Sequence, residues 1–168
     1  MADRMTPRKR TVIALLLTIW AASAVAEEGV VTPRPGTRDL CPVCGMLVSK
    51  YPNWTAGVTY RDNSAHFFDG AKDMFRYLHE LGKYATRHRK EDISSLVVTE
   101  FYGLTRIDAR KAYYVIGSDV LGPMGHELVP LETRADAEEF LKDHKGKRIL
   151  TFEQVTPEIV SEVDNGKF

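Results

Sequence analysis

The order strand, strand, helix, strand occurs twice along the chain, and no other feature narrows the possible folds as far. Residues 54–60 alternate, with Trp54, Ala56, Val58 and Tyr60 on one side, as a half-buried strand requires. Arg61-Asp62-Asn63-Ser64 is turn chemistry, and residues 65–68 form the return strand. Asp69 stands where it can cap a helix in which Ala71, Phe75, Leu78 and Leu81 recur at helical spacing beside Met74. Lys72, Asp73, Arg76 and Glu80 fall mostly outside that apolar face, and Gly82 ends the helix. A basic polar loop, 84–92, leads to strand character over 93–101. The second half repeats the order: strand 112–116, loop 117–125, strand 128–131, a helix with Ala137, Phe140 and Leu141 inward, and strand 149–155. Thr133 caps that helix with Asp136 three residues on, and Lys145-Gly146 stops it. The expected class is α+β, two small duplicated ββαβ-type units packed together, at 39–102 and 103–157. A flexible lead-in at 27–38 precedes them and a C-terminal tail at 158–168 follows.

Residues 1–26 read as a signal for export. Arg4, Arg8, Lys9 and Arg10 precede an apolar run over 12–20, broken only by Thr18, and small residues end at Ala26. The run is shorter than the ~20 apolar residues of a spanning helix. Cleavage after Ala26 and residence in the periplasm are expected. A lipid anchor is not expected, because the first cysteine, Cys41, lies well beyond the cut. Of 23 basic and 23 acidic residues, four basic and one acidic fall in this segment, so the remainder is weakly acidic. Nothing in that charge points to nucleic acid.

Both cysteines and a thioether lie within the six residues Cys41-Pro42-Val43-Cys44-Gly45-Met46. Thiolate and thioether are soft donors that favour Cu(I). Zinc would need two further ligands, and the chain has neither a second C-x-x-C nor an H-x-H spacing of the right length. Haem attachment is excluded because Gly45, not His, follows Cys44. Two other readings stay open. The pair could form a disulfide stapling an interaction module. It could also act as an exported thiol-disulfide oxidoreductase, which needs a depressed thiol pKa.

A second irregular segment, 119–126, carries Met124 between Gly122-Pro123 and Gly125, with His126 directly after. If the two units pack with related faces together, these residues approach Cys44 and Met46. The candidate metal ligands are therefore Cys44, Met46, Met124, Cys41 and His126. Met74 sits at core spacing, and His66 stands among aromatic residues of a strand. No catalytic residue is expected, and the chain reads as a non-enzyme.

Taken in order, Cys44-Gly45-Met46, Phe68-Asp69-Gly70, Asp73-Met74-Phe75, Ala112-Tyr113-Tyr114-Val115, Gly122-Pro123-Met124-Gly125 and the helix at 137–140 resemble the NosL family. The resemblance runs over about 41–155. It implies two small units similar to those of organomercurial lyase, and Cu(I) binding that serves assembly of the copper centres of nitrous oxide reductase. It also implies contact with that enzyme and with its membrane ABC-type maturation complex. Many members are anchored through an acylated cysteine, which this chain is not expected to carry. Where some members have a cysteine in the strand before the helix, this chain reads His66-Phe67-Phe68.

Overall fold

The computed structural model describes residues 32–168. The expected signal segment 1–26 and the first part of the lead-in lie outside the described residues. Strands β1 (Ala56–Tyr60) and β2 (Ala65–Phe68) form a hairpin whose turn places Asn63 in the left-handed region, at φ +67°. Asp62 Oδ1 closes the turn by accepting from Ser64 N at 3.0 Å and Ser64 Oγ at 2.6 Å. Helices α1 (Ala71–His79) and α2 (Leu81–Tyr84) lead to β3 (Ile93–Thr99) and β4 (Arg106–Asp108). The first sheet has the order β2-β1-β3-β4, antiparallel throughout.

The second sheet is built from β5 (Tyr113–Ile116), β8 (Val129–Leu131) and β9 (Arg148–Thr151), in the antiparallel order β8-β5-β9. Between β5 and β8 a small hairpin projects, β6 (Leu121–Gly122) with β7 (Gly125–His126). Helix α3 (Arg134–Asp143) precedes β9. Thr133 Oγ1 accepts from Asp136 N at 3.1 Å, the expected cap. The class is thus α+β. In both sheets the first strand is central, flanked by the strand before the helix and the one after it. The added β4 and the inserted β6-β7 hairpin distinguish the two.

The central strand of the second sheet is buried on both faces, which explains the layering. Tyr114 and Ile116 point into a core shared with α1 and the first sheet, whereas Val115 packs with Ala137 and Phe140 of α3. Phe75 of α1 meets Tyr114 edge-on at 5.0 Å. Met74 is fully buried in the same core. Helix α1 therefore lies within the molecule rather than on its surface.

Three expectations need correction. The tail expected at 158–168 is largely helical: α4 (Pro157–Asp164) has proline in its first turn and Thr156 Oγ1 accepting from Ile159 N at 3.4 Å. Its Ile159, Val160 and Val163 are buried, and it packs on α1. Asp69 does not cap α1. The N-cap is Gly70, with no side-chain cap bond of its own. Lys72 and Asp73 are buried, not solvent-facing, because the cysteine loop, the β6-β7 hairpin and α4 enclose the first turn of α1.

Candidate metal centre

The cysteine loop is closed by its own backbone. Cys41 N donates to Met46 O at 2.8 Å, and Gly45 N donates to Cys41 O at 2.8 Å. Gly45 sits at φ +77°, the left-handed region that glycine enters without strain. Closure aims the Val43 and Cys44 amides at the Cys41 sulfur and the Met46 amide at the Cys44 sulfur. Such amides favour thiolates. The two thiols are unbridged.

Facing the loop are two aspartates. Asp69 follows β2 and precedes the Gly70 N-cap, and Asp73 lies in the first turn of α1; the strand-to-helix junction brings both carboxylates to the loop. Cys41 Sγ donates to Asp73 Oδ2 at 3.2 Å, and Cys44 Sγ donates to Asp69 Oδ1 at 3.1 Å. One donor atom from each of Cys41, Cys44, Asp69 and Asp73 lies within 4.8 Å of every other. Cys41 and both aspartates are buried, while Cys44 is half-buried and opens the group to solvent. Asp69 Oδ2 is buried with no hydrogen-bond partner. A buried carboxylate oxygen left unpaired is costly, and a cation offsets that cost.

Burial, with the two aspartates adding to it, pushes the Cys44 thiol up to about 12 and raises Cys41 further. Both thiols thus hold their protons at neutral pH and donate hydrogen bonds to the carboxylates. The oxidoreductase alternative needs the opposite shift.

Beyond the aspartates lies a third carboxylate. Glu127 Oε1 accepts from Lys72 N at 2.6 Å and Leu128 N at 2.9 Å, capping α1 from a residue 55 positions away. Its burial pushes it up to about 7. A Cβ at Gly70 would meet the Glu127 carboxylate, so a larger residue there would have to displace the group that caps α1. The Lys72 ammonium donates to His126 O at 2.7 Å and Met124 O at 3.4 Å and pairs with Asp164 at 3.2 Å. These bonds tie the β6-β7 hairpin and α4 to the turn of α1 that carries Asp73.

Of the sequence-derived candidates, Cys41 and Cys44 come together. Met46 is part of the same closed loop and half-buried. Met124 is 48% exposed on the turn of the docked hairpin. His126 does not join the group: its ring packs edge-on against Phe168 at 5.0 Å and lies close to Gly166. His66 packs between Tyr60 and Tyr77, also outside the group. Asp69 and Asp73 were missed as site residues. The sequence reads Asp69 as a cap and Asp73 as a position mostly outside the apolar face of the helix, and neither reading points to the cysteines.

The NosL family model matches residues 34–160 of the chain. Among characterised relatives, the chain is 27% identical over 137 residues to the copper-binding lipoprotein NosL of Stutzerimonas stutzeri. That match covers 74% of this chain and spans 65% of the relative's length. The fold is similar to the crystal structure of the copper chaperone NosL from Shewanella denitrificans, with a TM-score of 0.60 and 23% identity, over 76% of this chain and 98% of that one. Because the family model spans both sheets, the cysteine loop and the aspartates facing it, the chain belongs to the NosL family.

Proposed function

We propose that the protein is a periplasmic Cu(I) chaperone whose cargo is delivered for assembly of the copper centres of nitrous oxide reductase, beside a membrane ABC-type complex. The observation that carries the metal reading is the convergence of two thiols on two buried carboxylates, one of which has an unpartnered oxygen. Copper as the cargo rests on the softness of the thiols and on family membership, whose named relatives bind copper. Cys41 and Cys44 hold the ion as thiolates, and Met46, in the same loop, and Met124, on the docked hairpin, are the thioether candidates for a third soft donor.

The chemistry is ligand exchange. Cu(I) replaces a proton on each thiol, the proton passing through Asp69 or Asp73 to solvent, and an S–Cu bond forms where an S–H bond breaks. Half-exposed Cys44 is the sulfur an acceptor reaches first. Reprotonation of thiols whose pKa is raised favours release, so the ion is held without being trapped. Anaerobic titration of the reduced protein with Cu(I) against a competing chelator tests this. One tightly held ion is expected, with binding lost in Cys41→Ser/Cys44→Ser; wild-type affinity in that variant refutes the site. Transfer of copper from the loaded protein to copper-free nitrous oxide reductase tests delivery.

A further inference from the structure

We propose, resting on the copper reading above, that Lys72 is a positioning residue for the metal centre: its buried ammonium holds the β6-β7 turn so that the Met124 thioether completes the coordination of an ion bound by Cys41 and Cys44. Lys72 and Asp73 are consecutive in the first turn of α1, so their side chains leave the helix about 100° apart. Asp73 accepts from the Cys41 thiol at 3.2 Å, and the Lys72 ammonium donates to Met124 O at 3.4 Å and His126 O at 2.7 Å. The two segments that carry soft donors are thereby tied to adjoining sides of one helical turn.

An ammonium has three donors, and here each has an acceptor, the third being Asp164 Oδ1 at 3.2 Å. Only 3% of the side chain is exposed. Replacing a buried ion pair with apolar side chains of similar volume is often neutral or stabilising, so stability alone does not call for a charge at this position. Fixing a register does. The hairpin pairs only Leu121 with His126 and Gly122 with Gly125, and so short a two-stranded ladder is marginal by itself. Its long apolar side chains do not hold it down, since Leu121 is 58% and Met124 48% exposed. The main chain is held from beneath instead. Lys72 grips two carbonyls, and the Glu127 side chain passes so close to Gly122 that a Cβ there would lie 3.1 Å from it. Met124 is thus fixed at its backbone and free at its sulfur, as a ligand arm must be. A donor tethered within reach of a site acts at high effective concentration, and a turn released from Lys72 dilutes it.

The test is a double-mutant cycle on the purified, reduced protein, titrated anaerobically with Cu(I) against a competing chelator. Lys72→Met removes the charge and keeps an unbranched side chain. It should weaken binding about tenfold or more, the usual cost of losing a group that orients a ligand. Met124→Ala should weaken it by a similar factor, and the double variant should be no weaker than either single one. A lysine that merely stabilised the fold would cost the same factor with or without Met124. Hydrogen exchange over 121–126 in the metal-free protein should quicken in Lys72→Met, with β1 and β3 unchanged. Lys72→Gln gives both comparisons if Lys72→Met does not fold. The proposal is overturned if Met124→Ala binds as wild type, if the two losses add, or if exchange over 121–126 is unchanged. Wild-type affinity in Cys41→Ser/Cys44→Ser overturns the copper reading and this proposal together. Binding lost in that variant, with additive losses at 72 and 124, overturns this proposal alone.

Discussion

Cys41 and Cys44 enter metal binding as thiols, and this fixes how loading responds to pH. Each must lose a proton held by a raised pKa, so two protons leave when both coordinate. Apparent affinity should rise about a hundredfold per pH unit through the neutral range, measured against a chelator of known protonation. A slope near zero would mean that the thiols do not bind. Replacing Asp69, which accepts the Cys44 proton at 3.1 Å, tests the carboxylate role. Asp69→Asn should lower the Cys44 pKa and speed its alkylation at neutral pH, followed by mass spectrometry; an unchanged rate would leave burial and Asp73 as the causes. The cysteines were legible in the sequence because the chain has two and they adjoin. The aspartates were not, because a carboxylate before a helix is the commonest cap, and only the tertiary fold turns Asp69 toward sulfur.

The first turn of α1 is the element on which the site depends. It is capped by Glu127 and carries a buried lysine that holds the β6-β7 hairpin. Glu127 has a folded pKa of about 7 against an ordinary 4.5, so both states are protonated below 4.5. As pH rises from 4.5 to 7 the unfolded chain loses this proton first, and the stability contributed by this group falls; above 7 the effect is constant. Glu127→Gln keeps an acceptor for both amides and should flatten that part of the profile, read as denaturant midpoints at pH 5 and 7. An identical profile in the variant would remove Glu127 from the explanation. The sequence located β1, β2, β3, β5, β8, β9 and the Thr133 cap, since alternation and capping are local. It missed β4, three residues long, and the β6-β7 hairpin, whose pairing is shorter than any periodicity can register. It also placed Met124 and His126 together, yet Met124 stands exposed on the turn before β7, whereas His126 lies within β7 and turns to Phe168.

At the scale of the molecule, α4 closes over α1 and joins it through Asp164, which pairs with both Lys72 and Arg76. Truncation before Pro157 would expose the apolar face otherwise covered by Ile159, Val160 and Val163. It should lower the thermal midpoint and loosen metal retention together; loss of neither would make α4 dispensable. The sequence reading left this segment as a tail, although Pro157 is at home in the first turn of a helix. The packing of α1 between the sheets thus supports a site that opens to solvent through Cys44. X-ray absorption at the copper edge of the Cu(I)-loaded protein probes that site most directly. A sulfur-dominated coordination shell, abolished in Cys41→Ser/Cys44→Ser, is expected. A shell of nitrogen and oxygen alone, or one unchanged in that variant, would contradict it.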